Sequence, residues 1–201
     1  MGQAWTTMLP SDSPAVSDML SGRLGFLSLD NPSPILREKL KGSRLIDLGA
    51  GGIDSILSMA HLAAALGAKE YVAVDKYRNY DNAMPALEDF IHPTYPGIRL
   101  SAVTEDMLVF LGQQPDGSAA VCINGIDSDI LRSDDKITQE LYLHELMSEV
   151  SRVVPLQGIA FGIHSPYLGR LADFGFTRIM KGIGRLDLTW SDGIYEKTSI
   201  I

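Results

Sequence analysis

The chain predicts an α/β fold: a doubly wound, mostly parallel, seven-stranded sheet with helices on both faces and an antiparallel C-terminal strand. Three observations carry that expectation. Short apolar runs alternate with stretches of helical length and period, the pattern of right-handed βαβ units. The runs are apolar throughout rather than alternating, as strands covered on both faces are. Four of them close on a polar residue, at Asp47, Asp75, Asp106 and Asn124, and the first passes directly into the glycine turn Gly49-Ala50-Gly51-Gly52.

Each element has a local reason. Pro34 starts and Gly42 stops a short helix over Ile35–Lys41. Leu45, Ile46 and Leu48 make a buried strand. Asp54-Ser55 offers an N-cap to a Leu-, Ala- and Met-rich helix that runs to Leu66 and stops at Gly67. Tyr71 to Asp75 is the second strand. Asn82 to Phe90 is a helix with Pro85 in its first turn, and Pro93 and Pro96 then break the chain. Arg99 to Thr104 is strand three, ending in Glu105-Asp106-Met107, and Ala119 to Asn124 is strand four. Ile137 to Val154 is the longest helix, with Leu143, Leu146, Met147, Val150, Val153 and Val154 on one face. Gly158 to His164 is strand five, Tyr167 to Phe174 a short helix, and Thr177–Lys181 and Ile194–Ile200 the last strands. Leu186–Trp190 is left open between strand and loop.

Composition bounds the function. At 201 residues the chain suits one domain, and its 45% hydrophobic and 21% charged fractions are those of a globular protein. A net charge of −8 argues against a non-specific nucleic-acid or anionic-membrane surface without excluding a local basic patch, and leads to the expectation that nucleic acid is not a partner. Cys122 is the sole cysteine, which excludes an intrachain disulfide and a cysteine-cluster metal site. Met1 to Leu20 lacks a basic leader and is broken by Pro10 and Pro14; the longest apolar stretch, Ile56 to Ala68, contains His61 and is too short to span a bilayer. A cytoplasmic protein with no membrane partner is expected. Oligomeric state is not legible. Residues 1–32 form an N-terminal extension rich in Ser, Asp, Gly and Pro, with anchors from Trp5 to Leu27; it reads as surface packing or as a lid. Residues 33–201 form the ligand-binding domain.

Strand, glycine loop and helix N-terminus together make a nucleotide-cofactor cradle. A dinucleotide fingerprint G-x-G-x-x-G counted from Gly49 ends on Asp54, an anion where a pyrophosphate would lie close. Asp47-x-Gly49-x-Gly51-x-Ile53 instead resembles motif I of the class I, Rossmann-like S-adenosylmethionine (SAM) methyltransferases, Asp/Glu-x-Gly-x-Gly-x-Gly, with Ile53 departing from it. The resemblance extends over about residues 36–200, through Val72–Asp75, Glu105-Asp106-Met107, Ser151–Gly158 and Ala172–Thr177. It implies SAM as cofactor, with Gly49, Ala50, Gly51 and Gly52 as the loop and Asp47 beside it, acting directly or through water. A carboxylate ending strand two can accept from both ribose hydroxyls, which assigns Asp75, with Lys76 next to it, to the ribose. The resemblance further implies the adenine amino group for Glu105, Asp106 and Met107, and the methionine end for Asn124.

His164, ending strand five, is the candidate catalytic base; the competing reading is a histidine that fixes the Ser165-Pro166 turn. Asp127, Asp129, Asp134 and Asp135 read as a solvated, helix-capping run rather than a metal site, since metal-dependent members of the family carry Asp-Asn where His164-Ser165 stands. Nor does Asn124-Gly125-Ile126-Asp127 match the Asn/Asp-Pro-Pro-aromatic signature of amino-group methylators. The expected function is SAM-dependent methyl transfer to a nucleophile on a small-molecule substrate. The alternatives are a nicotinamide oxidoreductase, an aminopropyl transferase, or a non-catalytic SAM-binding or interaction domain of the same fold.

Overall fold

The computed structural model describes residues 34–76, 80, 83–124, 136–163, 167–181 and 193–200. The chain runs α1 (Pro34–Leu40), β1 (Arg44–Leu48), α2 (Ile53–Ala65), β2 (Glu70–Val74), α3 (Ala83–Ile91), β3 (Arg99–Val103), α4 (Met107–Gly112), β4 (Ala120–Asn124), α5 (Lys136–Val153) and β5 (Ile159–Ile163). A 3-10 helix (Leu168–Phe174), β6 (Phe176–Lys181) and β7 (Gly193–Lys197) complete it. The strands form one sheet in the order β3-β2-β1-β4-β5-β7-β6. The pairs from β3 through β5 are parallel, and β7 lies antiparallel to both β5 and β6. This is the doubly wound, mostly parallel sheet the sequence predicts.

Period two along the strands sorts their side chains into two cores. Leu45, Tyr71, Ala73, Cys122 and Phe161 face α1, α2 and α3, where they meet Leu36, Ile56, Leu62 and Leu87. Ile46, Leu48, Val72, Val74, Val121 and Ile123 face α4 and α5, meeting Phe110, Leu143, Leu146, Met147 and Val150. All of these are buried, and a fully buried Leu, Ile, Met or Phe contributes ~1.5–3 kcal/mol. The α5 stripe read from the sequence is buried along its whole length.

Three details differ from the sequence reading. The helix after the glycine loop starts at Ile53, and its N-cap is Gly52 rather than Asp54 or Ser55. The N–H groups of Ser55 and Ile56 both donate to the Gly52 carbonyl, which brings Asp54 inside the first turn. An additional helix, α4, follows β3, capped by Asp106, whose carboxylate accepts from the Leu108 N–H at 3.0 Å. Strand β7 ends at Lys197, beyond which the Thr198 and Ser199 N–H groups turn to the Gly175 carbonyl. The N-terminal extension, His164, the Asp127–Asp135 run and Leu186–Trp190 lie outside the described residues. Among the described residues no helix is long and apolar enough to cross a membrane.

Because β1 is flanked by β2 on one side and β4 on the other, the winding direction reverses between β1 and β4. Ligands of open α/β sheets bind beyond the carboxyl ends of the strands at such a point. The glycine loop leaves β1 there.

Candidate functional site

The loop is held by backbone from both neighbouring strands. The N–H groups of Gly49 and Ala50 donate to the Val74 carbonyl at 2.9 and 3.2 Å. Gly49 has φ +69°, and a Cβ built on it would stand 2.4 Å from the Asn124 carbonyl oxygen. Gly51 has φ +76°. Both positions therefore need glycine, the first for close approach as well as for its dihedral. Gly52, by contrast, has ordinary φ and open space around it. It precedes a helix whose first turn has no side-chain cap; with the Ser55 and Ile56 amides on the Gly52 carbonyl, those of Ile53 and Asp54 are the donors at the mouth of the loop.

Polar side chains gather at this end of the sheet. Asp75 accepts the Gly51 N–H at 3.0 Å and so ties the end of β2 to the loop. Tyr80 donates its hydroxyl to the Gly51 carbonyl at 2.8 Å. Asp106 pairs with Lys76 at 3.2 Å, and the Tyr142 hydroxyl of α5 lies 3.1 Å from its other oxygen. Met107 is buried in the first turn of α4, and Glu105 meets Gln113 at 3.2 Å on the outside. Asp75 and Asn124 thus touch the loop, Asp106 is joined to the end of β2 through Lys76, and Glu105 points to a neighbouring glutamine.

Asp47 sits deeper. It is 0% exposed, and its two oxygens accept from the Tyr71 hydroxyl and the Asn124 amide nitrogen, each at 2.7 Å. The Asn124 oxygen in turn accepts a weak S–H bond from Cys122 at 3.4 Å. The sheet explains the meeting. Asp47, Tyr71, Cys122 and Asn124 project from the same face, with Asp47 opposite Ala73 and Cys122, and Tyr71 on the diagonal within reach of a long side chain. Burial pushes the Asp47 carboxyl up to about 7, partly offset by the bonds from Tyr71 and Asn124. The same burial, with Asp47 nearby, raises the Tyr71 hydroxyl and the Cys122 thiol well above their ordinary ranges.

Tyr71, Tyr80 and Tyr142 were not singled out by the sequence reading. Tyr71 carried one clue, a tyrosine in an otherwise aliphatic buried strand, whose hydroxyl must find a partner inside. A separate groove of about 920 Å³ lies between α5, the 3-10 helix and β7. It opens at the amino ends of β4 and β5, on the opposite pole from the acceptors. Its cations are already engaged: Arg152 by Glu149 and Asp116, Arg170 by Glu140, and Lys197 by the carbonyls of Ser151 and Val154.

No protein-family model matches the chain, and no curated protein does by sequence. Solved structures do match. The chain carries the class I, Rossmann-like methyltransferase fold. It is similar to yhhF of Escherichia coli, assigned as a methyltransferase, at 10% identity and TM-score 0.51 over 82% of this chain and 80% of that one. A Clostridium thermocellum protein assigned as an rRNA methylase aligns at 12% identity and TM-score 0.54, over 83% and 93%. The bifunctional kinase–methyltransferase WbdD aligns at 15% identity and TM-score 0.56, over 85% of this chain and 38% of its own.

These neighbours correct one expectation. The acidic balance of the chain led to a small-molecule partner with nucleic acid set aside, yet the fold is shared with a protein named for rRNA. The physical reason is that net charge sums over the whole surface, whereas phosphates are met by a local patch. A charge of −8 therefore gives no ground for setting nucleic acid aside.

Proposed function

We propose that the chain is a SAM-dependent methyltransferase whose cofactor lies across the Gly49–Gly52 loop. The observation that carries this reading is the set of acceptors Asp75, Asp106 and Asn124 at the carboxyl end of the sheet where that loop leaves β1, beside a helix N-terminus that no side chain caps. SAM presents three groups of donors, the ribose hydroxyls, the adenine amino group and the ammonium, together with one carboxylate. Asp75 suits the ribose, Asp106 with Lys76 and Tyr142 the adenine side, Asn124 the ammonium, and the first-turn amides of α2 the carboxylate. Met107 and Ala50 complete the cofactor side of the assignment. Asp54 in the first turn of α2 is a poor neighbour for a pyrophosphate, which weighs against a nicotinamide dinucleotide.

Bound SAM supplies an already activated methyl group on its sulfonium. The protein's tasks are then to hold the cofactor, align an acceptor and exclude water. His164, directly after β5, is the candidate base for a weakly acidic acceptor, and the pH–rate profile of His164→Gln tests that role. Calorimetric titration with SAM, S-adenosylhomocysteine and NAD tests the cofactor. SAM and S-adenosylhomocysteine are expected to compete for one site that NAD does not enter; NAD binding without SAM binding overturns the reading. Release of S-adenosylhomocysteine on addition of an RNA pool or of a metabolite pool then separates the acceptor classes. Binding without release from either pool would make the chain a SAM-binding domain and not an enzyme.

A further inference from the structure

Two consecutive glycines leave one peptide plane of the loop free to turn. The plane between Gly51 and Gly52 rotates on ψ of the first and φ of the second, and neither residue has a Cβ to restrict it. A neighbouring group has to select the orientation, and Tyr80 is placed to do so. Its hydroxyl donates to the Gly51 carbonyl at 2.8 Å. The tyrosine is 5% exposed and belongs to the core that also holds Leu87 and Ile91, so the carbonyl is held from the core side.

The direction of the next amide follows. The peptide bonds of the described residues are trans, and in a trans peptide the N–H points opposite to the carbonyl. The Gly52 N–H is therefore aimed away from the Tyr80 hydroxyl and from the core behind it. Among the described residues it donates to no group, and a Cβ built on Gly52 would meet nothing within 4 Å. The N–H of Gly51 is held in turn by Asp75 at 3.0 Å. Both polar backbone groups of this left-handed residue are thus fixed by side chains that follow β2.

We propose that Tyr80 is a positioning residue for the cofactor: by holding the Gly51 carbonyl inward, it adds the outward Gly52 N–H to the amides of Ile53 and Asp54 that receive the ligand's carboxylate. This rests on the SAM reading above. Consecutive N–H groups entering a helix make a concave set of donors for an anion. Were the plane reversed, the Gly51 carbonyl would stand where the Gly52 N–H stands and would repel that carboxylate. Gly52 has φ −78°. Reversing the plane moves that angle by about 180° into the positive region, which glycine tolerates and alanine resists.

The test has two parts. In the ligand-free protein, the backbone amide of position 52 is followed by NMR in the wild type, Tyr80→Phe, Gly52→Ala and the double variant. One resonance is expected in the wild type and in Gly52→Ala, a doubled or exchange-broadened one in Tyr80→Phe, and a single one again in the double variant, where alanine selects the plane instead. A single sharp resonance in Tyr80→Phe overturns the proposal, whatever the cofactor does. Loss of the fold in both proteins that carry Tyr80→Phe would make the hydroxyl structural and overturn it as well. In the second part, the affinities of wild type and Tyr80→Phe for SAM and for decarboxylated SAM are measured by calorimetry. Tyr80→Phe should weaken SAM about three- to tenfold, the range spanned by a single hydrogen bond, and leave decarboxylated SAM unchanged. An equal loss for both ligands, or no loss for SAM, would overturn the positioning role. Failure of the wild type to bind SAM would refute the cofactor reading, and the resonance of position 52 would then show on its own whether Tyr80 sets the plane.

Discussion

Asp47→Asn should make the folded protein more stable at alkaline pH, and the size of the gain follows from its burial. The carboxyl of Asp47 is at about 7 in the folded state against an ordinary 3.8. The folded protein therefore holds a proton that the unfolded chain has already released. Stability from this group is full below the unfolded value and is lost as pH rises through the folded one. At 1.36 kcal/mol per unit, the whole rise corresponds to about 4 kcal/mol, of which about 3 kcal/mol falls between pH 5 and pH 8. Asparagine is nearly isosteric. Its oxygen can accept from the Asn124 amide, and its NH₂ can donate to the Tyr71 hydroxyl oxygen, so neither neighbour is orphaned. Urea unfolding of both proteins across that pH range is the assay, with the difference in unfolding free energy as the readout. The variant should gain about 3 kcal/mol on the wild type between pH 5 and pH 8. All other titrating groups are common to both and drop out of the difference. A difference that stays flat with pH would show that Asp47 ionises as readily in the folded state as in the unfolded one, and would refute the argument.

Other expectations are simpler. Gly49→Val combines a φ of +69° with a Cβ 2.4 Å from the Asn124 carbonyl, so it should cost at least about 2 kcal/mol and abolish SAM binding, whereas Gly52→Ala, which meets open space and loses only N-cap preference, should cost no more than about 1 kcal/mol in chemical unfolding. Asp75→Ala removes a charged acceptor worth about 1.5–3 kcal/mol per bond, so SAM affinity measured by calorimetry should fall at least about tenfold, and unchanged affinity would take Asp75 out of the site. His61 is 3% exposed against Tyr95 and Phe90, its Nδ1 has no partner among the described residues, and burial lowers its pKa below 6.5. The folded state thus favours neutral His61, and stability is lost as pH falls below 6.5; His61→Leu should remove that acid-side loss in thermal melts, and an unchanged acid slope would refute the assignment.

Much of this was legible before any coordinates. The apolar runs of β1, β2, β4 and β5 marked themselves because a strand covered on both faces has no polar alternation to confuse it with a surface strand. The positions of Asp75 and Asn124 at the carboxyl edge of the sheet were legible because a polar side chain closing such a run marks the strand's end. The N-cap of α2 was misread because residue preference favours Asp54 or Ser55, while the left-handed turn at Gly51 delivers the Gly52 carbonyl to the helix first. Helix α4 hid behind Asp106, which was weighed only as a ligand although its carboxylate also caps the turn that follows. The bonds among Tyr71, Asp47 and Asn124 could not be read at all, since they depend on which strands are neighbours. Tyr71 and Asn124 are 53 residues apart in the chain, and only the order β2-β1-β4 brings both to Asp47.

The placement of β7 between β5 and β6 has a consequence for how the chain is made. Among the described residues, strand β6 hydrogen-bonds only to β7, which follows it in sequence. During synthesis β6 therefore emerges with no strand to join, and the edge of β5 stays open until residues 193–197 arrive. Lys197 then docks against the Ser151 and Val154 carbonyls, and Glu196 pairs with Lys39 of α1. One short strand thus completes the sheet, the end of α5 and a contact with the first helix together. A nascent chain stalled before β7 would expose an unpaired β5 edge, the kind of surface that recruits chaperones or other strands.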